Sequence, residues 1–547
     1  MENSYESGSI SRRNFMKLAA AVSAGLNMDW TLPAAWAGPV RTDQPVVVIG
    51  AGLGGLSAGA VLARNGFPVT VVEQHEKPGG YATSFDRGAG SYTFEVSLHA
   101  TGSPSKGLKP ILEAAGIADK VKIVKLPEKL RIKTPDYDLK WTENGIDGVA
   151  EEMSRMFPGE AAGIRGFFKE ISGMLDELSI PFDTDSEQGR ASFPETHKRL
   201  WAIRDKTLAQ VLDGFVRDEK ARSLITYNWP YYGLPPSTLS GFYFCVATAS
   251  YLHDGSHYVK TRSQDLSDAL SNAIQAAGGE VILETRAEAI ITEGKQITGV
   301  RLSDERSIPA CAVVSNASVP RTVEMLAAGV LPAHYLEKLK GYRPSLSSFQ
   351  VFLGLKGDIR QKIDVGEALF IRQYDTDRTY EGLLACDPLR SSLRVTVYDN
   401  FYEGYSKPGT STISLNMLSG YEPWRRFEAD YFAGRKDEYR KEKERIANLM
   451  IDEAERLFMP GLRSMIEVCE AATPLTNVRY TGNPEGAIYG YQQSLDNAFM
   501  NRLDVRAPLT GLYFASAWSS PGGGYEPCLA SGLTASRALM QDFPARA

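Results

Sequence analysis

The sequence predicts an α/β fold in which one parallel sheet is assembled from separated stretches of chain, with an α+β part inserted between them. Three observations lead there. The first is a strand–turn–helix–strand unit, "QPVVVIGAGLGGLSAGAVLARNGFPVTVVEQ". The second is a helical pattern followed by short β-rich runs, ending in the apolar "AVVSNA" at Ala312 to Ala317. The third is the closing "GLYFASAWSSPGGGYEPCLASGLTASRALM", a strand, a glycine-rich turn and a helix with small residues on one face.

In the first unit, Val46 to Ile49 is a continuous β-branched run, as expected of a strand buried on both faces. Gly50 and Gly52 follow at once, then Leu53, Gly54 and Gly55, a small-residue helix ending near Asn65-Gly66, and a strand Val69 to Val72 that ends at Glu73. Gly50 permits the tight turn and Gly52 lets backbone approach a pyrophosphate. Gly55, with Ser57, Ala58 and Gly59, lets the helix pack close to the sheet. The unpaired N–H groups at the helix start then face the phosphates. Glu73 is placed to accept hydrogen bonds from an adenosine ribose, and its charge repels a 2′-phosphate. This is a Rossmann-type dinucleotide-binding opening.

In the second stretch, Leu266, Ala269, Leu270 and Ile274 recur at helical spacing, and "GGEVILETRAEAIITEGKQITGVRLSD" breaks into short strands at Glu293-Gly294. "AVVSNA" then returns as a buried strand toward the cofactor. The third stretch selects the dinucleotide. Gly522, Gly523 and Gly524 let backbone lie against a flat ring, and the N-terminus of the next helix puts positive partial charge beside the flavin N1–C2=O edge. A nicotinamide enzyme needs no such second site, so the expected cofactor is FAD.

Ahead of these elements, "SISRRNFMKLAAAVSAG" pairs Arg12 and Arg13 with an apolar run far shorter than the ~20 residues of a membrane-spanning helix. Small residues follow at Ala35 to Ala37. The pattern resembles a twin-arginine export signal over residues 1–37, with Met16 where leucine is most familiar. It implies a periplasmic or otherwise extracytoplasmic protein that folds before export. A retained N-terminal anchor is the other reading. About 510 residues remain after the signal, suited to two interleaved domains. The net charge of −6 gives no electrostatic footprint for nucleic acid. Cys245, Cys311, Cys386, Cys469 and Cys528 are scattered without C-x-x-C spacing, and of the six histidines only His253 and His257, in "HDGSH", stand at H-x-x-x-H spacing. The pattern indicates neither a protein metal site nor a disulfide framework.

Together these stretches, with "TPLTNVRYTGNPEGAIYG", resemble the phytoene desaturase, carotenoid isomerase and retinol saturase family of FAD proteins over nearly the whole chain after the signal. The resemblance implies a two-domain flavoprotein of amine-oxidase-like architecture. Its FAD-binding domain takes 44–124, 255–319 and 473–547, and its α+β substrate-binding domain takes 125–254 and 320–472. It puts Gly79 and Gly80 in a loop beneath the cofactor, the Ala287 backbone at the adenine, and Asn316 among the cofactor contacts. Two places depart from the family. Its late-strand Gly-Asp is Ser516-Ala517 here, and its paired glycines before "SQ" are Thr261-Arg262.

The substrate part offers "GIRGFFKEISGMLDEL", with Ile164, Phe167, Phe168, Ile171, Met174, Leu175 and Leu178 on one helical face. Two readings are open: a core-facing helix, or, by resemblance, a peripheral membrane contact admitting a lipid substrate. Trp229, Tyr231, Tyr232, Phe242, Tyr243 and Phe244 likewise suit either a long apolar pocket or plain core packing. Flavin chemistry on an unactivated carbon chain needs a hydride at N5 and a paired proton. The candidates to handle that proton are His99, where saturase-like members show F-D-x-G-x-H, and Tyr489, Tyr525 and Glu526. The expected activity is desaturation, saturation or isomerisation of a hydrophobic isoprenoid or polyene. Export separates the protein from the cytoplasmic NADPH pool, so a quinone or a redox protein is the expected electron partner. The alternatives are an amine or amino-acid oxidase and a non-catalytic flavin-bearing lipid-binding protein.

Overall fold

A computed structural model describes residues 44–97, 100–102, 107–126, 129–142, 145–180, 187–360, 362–400, 402–498 and 501–543. Residues 1–37, where an export signal is expected, and His99 lie outside the described residues. The chain forms two compact units: described residues 145–254 and 493–502 make the smaller, and 44–142, 255–492 and 503–543 the larger.

The larger unit holds a five-stranded parallel sheet. Its elements are β1 (Val46–Ile49), α1 (Leu53–Arg64), β2 (Val69–Val72), α2 (Ser263–Ala276), β3 (Glu280–Ile282), β4 (Ala312–Ser315), β5 (Leu512–Phe514) and α3 (Tyr525–Asp542). The strand order is β5-β4-β1-β2-β3. Val46 sits in register with Ala312 on one side and Val69 on the other. The unbroken apolar runs follow from burial on both faces. Val46, Val48, Val69, Val71, Ala312 and Val314 pack against α1, α2 and α3. Val47, Ile49, Val72, Val313 and Leu512 point the other way, onto a three-stranded antiparallel sheet of Ala287–Glu293, Gln296–Leu302 and Ser307–Pro309. Successive side chains alternate faces, so the central strands are apolar on both.

Helices α1 and α3 approach backbone to backbone. A Cβ on Gly532 would lie 2.3 Å from the Gly54 carbonyl oxygen, and Ser57 Oγ donates to the Leu529 carbonyl at 2.9 Å. The small residues of both helices are what permits this contact.

The same unit carries a seven-stranded sheet in the order Ile466–Ala472, Ser347–Lys356, Thr410–Ser419, Leu393–Thr396, Glu367–Phe370, Lys129–Lys133, Asp138–Thr142. Its pairings are antiparallel except that of Glu367–Phe370 with Lys129–Lys133. A hairpin of Ser84–Arg87 and Tyr92–Glu95 docks on it through Tyr92, Phe94 and Phe352. Gly354 makes room for the Tyr92 ring, which a Cβ would meet at 2.6 Å. The described residues of 125–142 and 320–472 cluster in this unit together with the nucleotide sheet.

The smaller unit is helical. Along Ala161–Leu178, Ile164, Phe167, Phe168, Ile171, Met174 and Leu178 are buried. The apolar stripe is therefore the core-facing side of the helix, the first of its two readings. Tyr232 packs edge-on against Tyr231, Tyr243 and Phe244, with centroids 5.3 to 5.7 Å apart. Trp229, Phe242 and Phe244 are buried with it. Among the described residues no helix is long and apolar enough to cross a membrane.

Candidate functional site

The turn after β1 is held from three sides. Asn316, just past β4, accepts the Gly52 N–H at Oδ1 (3.0 Å) and donates from Nδ2 to the Ala515 carbonyl (2.6 Å). One side chain thus joins the glycine turn to the end of β5. The glycines are sterically required: a Cβ on Gly52 would sit 2.4 Å from Asn316 Oδ1, on Gly54 2.0 Å from the Ala515 oxygen, and on Gly55 2.2 Å from the Gly50 oxygen. Leu53 and Gly54 open α1 after Gly52, an N-cap with no side chain to offer. The first-turn N–H groups of such a helix start suit an anion.

Glu73 is buried at the end of β2. Its Oε2 accepts the Ala51 N–H (2.7 Å) and its Oε1 the His75 N–H (3.0 Å). Gly79 and Gly80 close on the turn from below. The Gly79 N–H donates to the Ala51 carbonyl (2.7 Å), and Gly52 bridges Gly79. Thr285 N–H donates to the Glu73 backbone carbonyl (2.9 Å), so the strand beginning at buried Ala287 starts close to the end of β2.

The flat-ring end is built from the third stretch. Backbone at Gly523 approaches Tyr489 so closely that a Cβ would lie 2.7 Å from the Tyr489 Cα and carbonyl oxygen. At Gly490 a Cβ would lie 2.4 Å from the Ala517 oxygen. Gly522 and Gly524 continue this turn into α3. At the departure from Gly-Asp, Ser516 Oγ accepts the Trp518 N–H (3.3 Å) and Ser519 Oγ lies 3.1 Å from Ser531 Oγ. The serines are used in shaping the turn.

Of the proton-handling candidates, Tyr525 meets the glycine loop: its hydroxyl lies 3.3 Å from Ser97 Oγ and 3.4 Å from the Tyr81 carbonyl oxygen. Ser97 Oγ also donates to that carbonyl (2.8 Å). Glu526 points elsewhere. Its carboxylate sits between Gly102 and Gly107, where a Cβ on either would be 1.7 Å from one of its oxygens. Tyr489 reaches Gly523 through its backbone, with its N–H donating to Ser345 Oγ (2.9 Å). Tyr525 is thus brought onto the Gly79–Tyr81 loop, and Glu526 is directed away from it.

Three residues that sequence reading passed over complete the arrangement: Ser97, Tyr81 and Glu95. The Tyr81 hydroxyl donates to the carbonyls of Gly486 and Ala487 at 3.3 and 3.4 Å, and burial pushes its phenol well above the usual range. Glu95 is 1% exposed. Its Oε1 lies within hydrogen-bond reach of the Tyr405 hydroxyl (3.0 Å), the Tyr258 hydroxyl (3.1 Å) and the Ser263 N–H (3.0 Å), and its Oε2 accepts from Ser263 Oγ. Burial pushes this carboxyl up while the Ser263 and tyrosine donors pull it down, and burial dominates. One signal was available: an acidic residue within the apolar run "YTFEV" cannot stay buried without partners.

These residues fit FAD: two glycine stretches in backbone contact, an uncapped helix start, a buried carboxylate at the end of β2, and a second glycine turn leading into α3. Comparison with known proteins agrees. The family model for flavin-containing amine oxidoreductases matches residues 53–540. The chain is 26% identical over 513 residues to a neurosporene-forming phytoene desaturase of Rhodobacter capsulatus, covering 91% of this chain and 94% of that protein. It is 26% identical over 513 residues to human all-trans-retinol 13,14-reductase, covering 87% and 82%. In fold it is similar to cyclohexylamine oxidase from Brevibacterium oxydans, with a TM-score of 0.58 at 17% identity over 91% of this chain and 99% of that one. The chain belongs to the flavin-containing amine oxidoreductase family, and it is an FAD-dependent oxidoreductase.

Proposed function

We propose that this oxidoreductase acts outside the cytoplasm on carbon–carbon bonds of a hydrophobic isoprenoid or polyene, desaturating, saturating or isomerising it. The observation that carries the reading is end-to-end likeness to a phytoene desaturase, at 26% identity over 94% of that protein. The likeness to an amine oxidase is one of fold, at 17% identity. Bound FAD supplies hydride transfer at N5. The chain's own part begins with the glycine turn, Asn316 and Glu73, which hold the nucleotide end. Tyr489, Gly490 and the Gly522–Gly524 turn shape the other end. Tyr525, held by Ser97 against the Tyr81 carbonyl, gives or takes the paired proton at its phenol oxygen. Arg12-Arg13 directs export. Electrons then pass to or from a quinone or a redox protein, or return to the substrate in an isomerisation.

The test is anaerobic mixing of purified holoprotein, both with its flavin oxidised and with it reduced by dithionite, with phytoene, lycopene isomers and retinol, with and without a quinone analogue. Flavin absorbance is followed and products are separated by chromatography. Bleaching of the flavin, or a new polyene product, is the expected result. A flavin that responds to none of these, together with peroxide release from amines in a separate aerobic assay, overturns the reading in favour of an amine oxidase.

A further inference from the structure

Glu95 lies two residues before Ser97, and its own connections lead back to the nucleotide site by another route. Glu95 ends the strand Tyr92–Glu95, and Ser263 begins α2. The N-cap residue Arg262 makes no side-chain capping bond. Glu95 supplies the cap instead, from 168 residues away, by accepting both the N–H and the hydroxyl of Ser263. Tyr258 and Tyr405, whose hydroxyls are 2.6 Å apart, press on the same carboxylate oxygen and fix its position.

The first turns of α2 grip the loop that carries Gly79 and Gly80. Gln264 Nε2 donates to the Pro78 carbonyl (3.1 Å), and Ser267 Oγ donates to the Ala82 carbonyl (2.7 Å). These two bonds bracket the glycines from either end. The fit is close, since a Cβ on Gly79 would meet Ser267 Oγ at 2.8 Å. From the loop, the Gly79 N–H reaches the Ala51 carbonyl in the turn after β1. A continuous set of hydrogen bonds therefore runs from Glu95 through the start of α2 to the Gly79–Gly80 loop and into the dinucleotide turn.

We propose that Glu95 is a positioning residue for FAD: by capping α2 it sets where Gln264 and Ser267 hold the Gly79–Gly80 loop against the Gly50–Gly55 turn. The role rests on the FAD assignment and is independent of which substrate is used. An FAD-binding failure is therefore distinguishable from a failure to find a polyene reaction.

The experiment measures FAD dissociation constants of full-length variants by fluorescence titration, with flavin circular dichroism and thermal unfolding of the same samples. Glu95→Ala is expected to weaken FAD at least tenfold and to alter the flavin dichroism. Glu95→Asp, which keeps the carboxylate, is expected to recover most of that loss. Ser267→Ala and Gln264→Ala are expected to weaken FAD severalfold each with unfolding temperatures near wild type. Ser267→Ala is expected to add little on top of Glu95→Ala, because both act through the same loop. If Glu95→Ala fails to fold, the Gln264→Ala/Ser267→Ala double variant carries the test. A folded Glu95→Ala protein, or that double variant, binding FAD within twofold of wild type overturns the proposal.

Discussion

Thr261 has φ of +88°, in the left-handed region, one residue before the N-cap of α2. A β-branched residue there is a backbone outlier whose strain costs on the order of 1–3 kcal/mol. It occupies one of two places where the family resemblance expects paired glycines. Thr261→Gly should remove that strain. Against this stand the added backbone entropy of glycine, about 0.5–1 kcal/mol, and the exposed 2.5 Å hydrogen bond from Thr261 Oγ1 to the Lys260 carbonyl, worth roughly 0.5 kcal/mol. The Thr261 carbonyl, which accepts from the Tyr405 hydroxyl at 3.1 Å, is unchanged. The net expectation is stabilisation by about 1 kcal/mol. For a unit of roughly 400 residues, unfolding entropy of ~2 cal/mol/K per residue converts this to a gain in Tm of about 1 °C. Thr261→Ala is the control, because alanine keeps the strain and loses the hydroxyl; its Tm should fall below wild type. Differential scanning fluorimetry of the three proteins side by side resolves the order Gly above Thr above Ala. If alanine equals or exceeds glycine, left-handed strain at this residue is not what limits stability, and the reasoning fails.

Asn316→Ala removes both bonds joining the glycine turn to β5 and leaves the Gly52 N–H and Ala515 carbonyl unpaired, at about 3 kcal/mol in total. Melting should drop by roughly 3 °C and FAD should be lost on gel filtration. Tyr525→Phe should keep FAD affinity within about twofold while kcat on any polyene substrate falls about 10²-fold, measured by stopped-flow bleaching and product chromatography. Asp542, at the end of α3, accepts from Arg506 Nε (2.9 Å) and the Tyr513 hydroxyl (2.7 Å), and the hydrogen bond from Arg506 lowers its pKa. A lowered carboxyl stabilises the fold above its ordinary range and loses that contribution as pH falls through the depressed value. Asp542→Asn should therefore flatten the fall in Tm as the pH drops through and below the ordinary carboxylate range, by less than about 1 kcal/mol for so exposed a pair.

The opening strand–helix–strand unit was legible because each of its constraints is local: a β-branched run, glycines at fixed offsets and an acidic residue at the strand end fall within one short stretch. Ala312 to Ala317 and the closing strand and helix were legible for the same reason. Strand order was not, since the pairing of Val313 with Leu512 joins residues far apart in the chain. The Glu95 cluster was hidden more deeply. Its donors are 163, 168 and 310 residues away, and serine and tyrosine carry no pattern that announces such a meeting. Thr261 was visible as a departure from the family, but its left-handed backbone follows only from the path the chain must take into α2. The aromatics around Tyr232 show the converse, since their density could not separate pocket lining from a packed core.

The placement of β5 has a consequence for how the protein is made. When the ribosome has released everything up to residue 500, β4 is still a bare edge, and the face that α3 will cover is open to water. Unpaired parallel edges and exposed apolar faces are where growing chains associate wrongly. A stop codon anywhere before Leu512 should thus yield aggregated fragments rather than a weakened enzyme.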